Sequence, residues 1–276
     1  MQNRVIPDIT GEPNDKSESG ESKYTVASVK RAMELIDVFL EPPHEYGVTM
    51  LSQMTGQTKN QTYRLLQTLL GHNVVTLDES TKKYSMGHRI LEWGVVAQKN
   101  SPIVKVAAPF MDQLSSDIGE TIVLTTLADE RSAICVDKRE SNQALQISAR
   151  IGMRIPLHAG AGSKCLLANS PTTMWDAYIA QGKSLVRYTD KTLVDPDLLK
   201  ADLTRIRERG YSVSDEDLDP GGCSVAAPIF DFRQKVVASI SIASPKTRFG
   251  PEEFARNRQA AMNAADDISR RLGCRS

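Results

Sequence analysis

The sequence lacks several features that would assign it to whole classes of protein. Its 276 residues include four cysteines, which lie far apart and form no C-x-x-C pair. This spacing argues against a disulfide framework and favours free thiols in a reducing compartment. No apolar run approaches the roughly twenty residues that cross a bilayer, and the N-terminus has no charged-then-apolar signal segment. We therefore expect a cytoplasmic protein with no membrane partner.

An excess of charge of either sign is also absent. The 34 lysine and arginine residues balance 34 aspartate and glutamate residues, so the formal net charge is zero. The chain as a whole is therefore no polyelectrolyte, and any contact with nucleic acid must come from a local patch. Its length suits a small domain plus a larger one.

Acidic residues are missing from one stretch, Tyr46 to Leu77, which carries the cations Lys59 and Arg64. Because nothing in this stretch would repel phosphate, it is compatible with a nucleic-acid contact.

The same stretch predicts a helix-turn-helix followed by a wing. Thr58 and Gln61 have the spacing of a capping box, which predicts a helix that begins at Lys59. Gly71 is expected to end this helix, since glycine tolerates the left-handed backbone that helix ends often need. An ordinary amphipathic helix with a polar outer face fits the pattern equally well. The apolar face holds Thr62, Leu65, Leu66 and Leu69, and the polar face holds Asn60, Tyr63, Arg64 and Gln67.

Upstream of this stretch the sequence predicts a polar tail and one more helix. Residues 1–23 have too few apolar side chains to offset the entropy of ordering, so we expect disorder there. A helix follows from about Ser28 to Leu40, and Pro42 and Pro43 end it. Its predicted apolar face holds Val29, Met33, Ile36 and Phe39.

Downstream, two short strands and a helix follow. Val74–Leu77 and Lys83–Met86 flank a turn and form the predicted wing. Lys82 and Lys83 near its tip either contact phosphate or belong to a solvated turn. The next helix, from Gly87 to Lys99, is more apolar than an exposed linker should be, which indicates packing against a partner subunit or the next domain.

The second half of the chain changes to short β-branched runs between helices. Pro102 is expected to open a helix that Pro109 kinks or restarts. Thr121–Leu127 and Ser132–Val136 then predict a hairpin. The order of elements indicates an α+β domain with a mainly antiparallel sheet flanked by helices. The remaining predicted elements are a helix from Pro196 to Arg209 with Leu198, Leu199, Leu203 and Ile206 buried, strands at Tyr211–Val213, Val225–Phe230 and Val236–Ala243, and a helix from Pro251.

Patterns that indicate catalysis or a metal are missing. A nucleophilic cysteine needs a base that lowers its pKa, whereas Cys165 lies in the apolar run KCLLA and is expected to be a buried inert thiol. The four histidines have neither the spacing nor the company of a metal site. Gly160-Ala161-Gly162 is an incomplete dinucleotide loop. We predict no catalytic residue, metal or cofactor. An enzyme or a redox sensor that uses residues 160–165 remains the alternative.

Two features fit a small ligand pocket. The glycine-rich turn before Lys164 presents free backbone amides that favour an anion, or else it only permits a tight strand-to-helix turn. In the strand near Ser241, alternation places Ser239 and Ser241 on one face and Ile240 and Ile242 on the other. Serines that face inward would suit a polar ligand, and a half-exposed strand would look the same.

Together these motifs resemble the IclR family of bacterial transcription regulators over nearly all of the expected ordered length. Matches in the first half are Ser28–Ala32, Tyr63–Leu69 and Tyr84–Gly87. Matches in the second half are Gly119–Thr121, Gly152–Ala159, Lys164–Ala168 and, most specifically, Gly210–Asp231.

The resemblance implies a ligand-responsive transcription regulator with four segments. These are a disordered tail (1–23), a winged helix-turn-helix domain (24–86), a linker helix for dimerisation (87–100) and a GAF-like α+β effector domain with a mainly antiparallel sheet (101–276). It also implies a homodimer, or a tetramer of paired dimers, that binds double-stranded operator DNA and senses a small organic acid.

The candidate site residues follow from the polar helix face and from the resemblance. For DNA they are Lys59, Asn60, Tyr63, Arg64, Gln67, Lys82 and Lys83. The family's effector contacts fall on Ala161, Gly162, Ser214, Ser224 and Ser241. This sequence departs from the family at several positions: Asp217 replaces Glu, Ser214 and Ser224 stand where some members carry Asp and Cys, Ala243 replaces a serine, and Gln57 and Thr62 stand at usually apolar positions.

Overall fold

A computed structural model describes residues 24–180 and 185–274. The segment that we expect to be disordered, residues 1–23, lies outside these residues. The chain divides into two compact units, of which the first ends at Gly94 and the second begins at Val95. Among the residues described, no helix combines the length and the apolar composition needed to cross a membrane.

The N-terminal unit packs three helices against a two-stranded hairpin in its described part. The strands pair antiparallel, with Val75 opposite Met86. The elements are helices α1 (Ala27–Asp37), α2 (Val48–Thr55) and α3 (Lys59–Gly71), a 3-10 turn (Val38–Leu40), and strands β1 (Val75–Asp78) and β2 (Lys83–Met86). Their shared core contains Leu35, Phe39, Tyr46, Leu51, Leu66, Val75 and Tyr84.

Helix α3 begins at Lys59 and ends at Gly71, as the sequence predicts, but its left-handed residue lies elsewhere. The capping box is present, with the amide of Gln61 donating to Thr58 Oγ1 and the Gln61 side chain accepting from the Thr58 amide. The expected left-handed end at Gly71 is wrong, because Gly71 stays in the helix and Asn73 has the positive φ of 58°. Asparagine tolerates this conformation nearly as well as glycine.

The buried face of α1 also differs from the prediction. Val29 and Met33 are exposed, contrary to the prediction, whereas Phe39 is buried as predicted and Leu35 is buried without having been predicted. The apolar surface of this helix is wide enough to contain two stripes, and only the stripe that meets α2 and the 3-10 turn enters the core.

Helix α4 (His88–Asn100) spans the boundary between the two units and has no buried residue. Its exposed apolar side chains are Leu91, Trp93, Val95 and Val96. The part of the chain that the structure describes therefore leaves the apolar surface of this helix uncovered.

The C-terminal unit is an α+β domain. In its described part, a six-stranded sheet has the order β5-β4-β3-β8-β7-β6, and each neighbouring pair is antiparallel. The strands are β3 (Thr121–Leu127), β4 (Ser132–Arg139), β5 (Arg154–Pro156), β6 (Ser212–Asp215), β7 (Gly222–Phe230) and β8 (Val236–Pro245). The helices are α5 (Pro102–Ile118), α6 (Ala161–Asn169), α7 (Thr172–Ala180), α8 (Pro196–Arg209) and α9 (Pro251–Arg271).

Helices cover both faces of this sheet, and the alternation in β8 decides which side chains face which layer. Ile240 and Ile242 belong to the core beneath α5 and α9, and the predicted alternation with Ser239 and Ser241 is confirmed. Burial of each such side chain contributes roughly 1.5–3 kcal/mol. Ser239 and Ser241 point to the other face, where the hydroxyl of Ser239 donates to Gly162 O of α6. The second core lies among α6, α7 and α8.

Three details of this unit were not anticipated. Helix α5 is one continuous helix through Pro109, so the expected restart does not occur, and the expected kink stays a prediction. Pro109 is exposed, while Ala107 and Met111 on the inner face keep the helix against the sheet. Leu198 is exposed and not buried, and helix α7 had no prediction.

Candidate functional site

A cavity of about 90 Å³ lies between the start of α6 and one face of the sheet. Every residue that the sequence analysis proposed for the effector lines this cavity: Ala161, Gly162, Ser214, Ser224 and Ser241. These residues are distant in sequence, so the fold is what brings them together.

The strand register explains why the serines meet. Ser214 of β6 lies opposite Ser224 of β7, and Ser224 lies opposite Ala243 of β8. On the other side of β8, Ser241 lies opposite Val123 of β3. Small side chains in four adjacent strands therefore leave a hollow under the start of α6.

The start of α6 supplies unpaired backbone donors. Gly160, before the first residue of the helix, has a φ of 78°, a conformation that glycine adopts without strain. Among the residues described, the amides of Ala161, Gly162 and Ser163 have no acceptor, as is usual for the first turn of a helix. Aligned peptide dipoles also give this end partial positive charge. The cavity is therefore suited to a hydrogen-bond acceptor, and best to an anion.

An ion cluster lies directly behind these donors. Lys164 Nζ is 2.5 Å from Asp217 Oδ2 and 3.5 Å from Asp202 Oδ2, and Lys164 and Asp217 are 4% and 5% exposed. Asp217 Oδ1 accepts from the Gly160 amide at 2.9 Å and from the hydroxyl of Ser214. Lys164 thereby neutralises a carboxylate that would otherwise oppose an anion at the start of α6.

Five polar residues of the cavity wall were not among the predicted effector contacts: Thr125, Ser148, Arg150, Ser163 and Asp219. Arg150 is exposed and forms no ion pair within the described part of the chain. A signal for Thr125 was available, because alternation in β3 places it on the face opposite the core residues Ile122 and Leu124. No comparable pattern marks Arg150, which lies in a loop between β4 and β5.

Three thiols of this unit, those of Cys135, Cys165 and Cys223, are poorly suited to redox chemistry. Cys165 is fully buried, and burial raises its pKa, as expected for an inert thiol. Burial also raises the pKa of Cys135 to about 11. For Cys223, burial and the nearby Asp215 carboxylate raise the pKa to about 12. The thiolate, which is the reactive form, is therefore scarce at neutral pH.

Helix α3 presents its predicted polar face to solvent. Lys59, Asn60, Tyr63, Arg64 and Gln67 are exposed, while Thr62 and Leu66 are buried. Several of these residues line an open groove of about 460 Å³ beside the helix. Neither Lys59 nor Arg64 forms an ion pair with any described residue, so both charges are available to a partner.

Three of the remaining DNA candidates already have partners in the chain. Gln67 Nε2 donates to the hydroxyl of Tyr84 at 3.3 Å. Lys82 pairs with Glu79 at 2.5 Å, and Lys83 lies 4.0 Å from Glu45. Because the two lysine pairs are exposed, they are weak and exchangeable, but they make the wing less cationic than the sequence suggests.

Thr62 and Gln57 occupy usually apolar positions near the turn, and the structure accommodates their polar atoms in two different ways. Thr62 is buried, and its hydroxyl donates to Thr58 O at 3.1 Å. Gln57 Nε2 donates to Arg31 O, whereas its Oε1 is buried without a partner.

A helix-turn-helix unit followed by an α+β unit with an antiparallel sheet defines the chain as a transcription regulator of the helix-turn-helix class. Two family models match it: the IclR helix-turn-helix domain over residues 28–79, and the bacterial transcriptional regulator IclR C-terminal domain over residues 95–270. The chain belongs to the IclR family. Its members are named as regulators and repressors, and the chain is accordingly not an enzyme.

Individual relatives agree with this assignment. The transcriptional regulator KipR of Bacillus subtilis is 31% identical over 246 residues, which cover 89% of this chain and 97% of KipR. A crystal structure of an IclR regulator from Silicibacter sp. has a TM-score of 0.78 at 25% identity and covers 90% and 97% of the two chains. An IclR homologue from Microbacterium hydrocarbonoxydans, complexed with 4-hydroxybenzoate, shares the fold at 19% identity, with a TM-score of 0.74 and coverage of 89% and 98%.

Proposed function

We propose that this regulator binds operator DNA through the exposed face of α3 and senses a small carboxylate-bearing metabolite in the cavity under α6. The observation that carries the proposal is the convergence of Ala161, Gly162, Ser214, Ser224 and Ser241 on one cavity whose helix-end amides have no acceptor. The homologue complexed with 4-hydroxybenzoate, an organic acid, supports this class of ligand.

The DNA-bound form is proposed to be a homodimer, or two dimers paired as a tetramer. The uncovered apolar side chains of α4, Leu91, Trp93, Val95 and Val96, support burial against a second copy. Two recognition helices would then enter successive major grooves of a pseudo-palindromic operator, roughly 34 Å apart. One copy of α3 carries only Lys59 and Arg64 as cations, so tight binding depends on two copies acting together.

Within this proposal, Arg64 and Lys59 contact phosphate or guanine, Asn60 and Gln67 read base edges, and Tyr63 contacts sugar or a thymine methyl group. Lys82 and Lys83 of the wing contact phosphate once they leave their acidic partners. Effector binding changes operator affinity only to the extent that the effector binds one arrangement of the DNA-binding domains more tightly than the other.

Replacing Arg64 with Ala should weaken operator binding by about 1–3 kcal/mol, because its guanidinium is exposed and has no partner among the residues that the structure describes. Quantitative footprinting at several salt concentrations measures this change. If Arg64 contacts a phosphate, the loss is similar for all sequences and the salt dependence falls; if it contacts guanine, the preference at one base pair relaxes.

The matched control is Arg89 changed to Ala. Arg89 lies in α4 and has Glu92 3.8 Å away, so its loss should change operator affinity little. Equal effects of the two substitutions would mean that Arg64 contributes only to the net charge, and an unchanged affinity in the Arg64 variant would remove it from the interface.

The sensing half of the proposal is tested with a panel of acetate, pyruvate, succinate, benzoate and 4-hydroxybenzoate. At least one should raise the melting temperature of the full chain, since a ligand that binds only the folded state stabilises it. Changing Ser241 to Leu fills the cavity and should abolish the shift, while Ser241 changed to Ala leaves it open and should retain most of it. A shift that persists in the Leu variant would place the ligand elsewhere.

A redox sensor remains the second candidate from the sequence. It requires reactive thiols, and the buried thiols with raised pKa described above do not favour it. Operator binding that responds to a thiol oxidant would revive it.

A further inference from the structure

The cavity wall includes a threonine hydroxyl that has no hydrogen-bond partner among the described residues. Thr125 of β3 is 1% exposed and lines the cavity. In residues 24–180 and 185–274, nothing forms a hydrogen bond with its Oγ1. Buried polar groups are nearly always hydrogen-bonded, and an unpaired one costs free energy. The natural partner of this hydroxyl is therefore a molecule that enters the cavity.

Gly162 brings the first turn of α6 close to this hydroxyl. A Cβ atom at position 162 would lie 3.2 Å from Thr125 Oγ1 and 3.2 Å from Ser239 Oγ. Such contacts are tighter than most that a Cβ atom makes, so a larger residue at this position would require the two hydroxyls to shift. Ser239 already donates to Gly162 O at 2.9 Å, so Thr125 is the hydroxyl that remains free beside the unpaired amides.

The protein groups at this end of the cavity favour a ligand group that accepts hydrogen bonds. Backbone N–H groups only donate, and the Thr125 hydroxyl can rotate to donate as well. The helix end adds positive potential, and Lys164 neutralises the nearby Asp217. The hydroxyl of Ser214 already donates a hydrogen bond to Asp217. Thr125 is therefore a stronger candidate than Ser214 for donating a hydrogen bond to the ligand.

We propose that Thr125 is a specificity-determining residue whose hydroxyl donates a hydrogen bond to the carboxylate of a small organic acid at the start of α6. The inference rests on the proposed function, which places the effector in this cavity, and it adds a contact that the family resemblance did not supply.

The test replaces Thr125 with Val, which keeps the shape and removes the hydroxyl. Isothermal titration with the acid of the panel above that binds the wild-type chain most tightly should show about 10- to 100-fold weaker binding, the usual effect of losing a hydrogen bond to a charged group. The melting temperature without ligand should stay the same or rise, because an unpaired buried hydroxyl is gone. If Thr125 had a purely structural role, the Val variant would instead have a lower melting temperature without ligand.

Three controls make the result specific. Thr126 changed to Val makes the same substitution at the next residue, which points to the other face of the strand, and should leave binding unchanged. Thr125 changed to Ser keeps the hydroxyl and should retain most of the affinity for the acid. This variant still tests the role of the hydroxyl if the Val variant folds poorly. Neutral amides that match the acids, acetamide and benzamide, should bind the wild-type chain far more weakly.

The outcomes separate the inference from the proposed function. If the wild-type chain binds no acid of the panel, the proposed acid sensing fails and the role of Thr125 fails with it. If the wild-type chain binds an acid and the Val variant binds it equally, only the role of Thr125 is overturned. An amide that binds as tightly as its acid would overturn the carboxylate assignment.

Discussion

Replacing Lys164 with Met should lower the free energy of unfolding of the C-terminal unit by about 3–5 kcal/mol. The side chain is 4% exposed, and its Nζ lies 2.5 Å from one carboxylate and 3.5 Å from another. Methionine fills a similar volume but leaves Asp217 buried without a cation, whereas Asp202 keeps Arg205 at 3.5 Å. The orphaned charge, and not lost packing, causes the expected loss. Urea denaturation followed by tryptophan fluorescence and circular dichroism measures it.

A second substitution distinguishes these causes. Changing Asp217 to Asn in the Lys164 variant removes the orphaned charge while an amide oxygen still accepts from Gly160, so part of the stability should return. The double-mutant cycle should show a coupling of about 0.5–3 kcal/mol. If the two losses simply add, the ion pair is not what stabilises this region.

The surface pair of Lys200 with Asp176, 2.7 Å apart, is the matched control. Both side chains are largely exposed, and exposed ion pairs contribute little because water and salt screen them. Lys200 changed to Met should therefore leave the denaturation midpoint unchanged. A comparable loss in both variants would mean that general charge balance, and not the buried position of Lys164, determines the effect.

The Lys164 variant should also bind organic acids poorly, even under conditions where it is fully folded. Without the cation, the Asp217 carboxylate lies beside the Gly160 amide at the start of α6 and repels a second anion. Stability and ligand affinity are thus linked through one side chain, to which the sequence pattern assigned no role of its own.

The sequence predicted the features that depend on neighbouring residues. The capping box of Thr58 and Gln61 and the helix from Pro196 to Arg209 match the structure, since caps, proline and periodicity act over a few positions. Gly71 shows the limit of this reasoning. A glycine permits a left-handed turn without requiring one, and the chain continues two residues further to Asn73.

Burial was harder to predict where apolar residues outnumber the core positions. Val29, Met33 and Leu198 follow helical spacing, yet each lies outside its core. Which apolar stripe is buried depends on the elements that pack against the helix, and this information is not local. A second subunit can also bury apolar side chains of a helix, and the sequence of one chain does not show which ones.

The cavity was hard to predict from the sequence, because it is formed by contacts between segments that are distant along the chain. Strand β3 pairs with β8 across more than a hundred residues, and this pairing places Thr125 opposite Ser239 and Val123 opposite Ser241. The family resemblance supplied five cavity residues without this register. The unpaired state of Thr125 became visible only once every neighbour had been placed, because it is a property of the surroundings and not of the residue type.

The second large effect concerns the N-terminal unit, where Leu66 changed to Ala should cost about 2–5 kcal/mol. Leu66 is 0% exposed and lies on the inner face of α3, in a core shared with Leu35 and Phe39. A domain of this size has only a few kcal/mol of stability to lose. The variant should therefore lose operator binding through unfolding, although no DNA-facing residue has changed.

Differential scanning calorimetry of the full chain tests this expectation, with Leu40 changed to Ala as the matched control. Leu40 is 57% exposed, so the same truncation there should have little effect. In the Leu66 variant the transition of the N-terminal unit should move to lower temperature, while the stabilisation of the C-terminal unit by an organic acid persists, because the two units have separate cores. An operator affinity equal to that of the wild-type chain would contradict the dependence of the DNA-binding face on this core, and a joint shift of both transitions would show that the units unfold together.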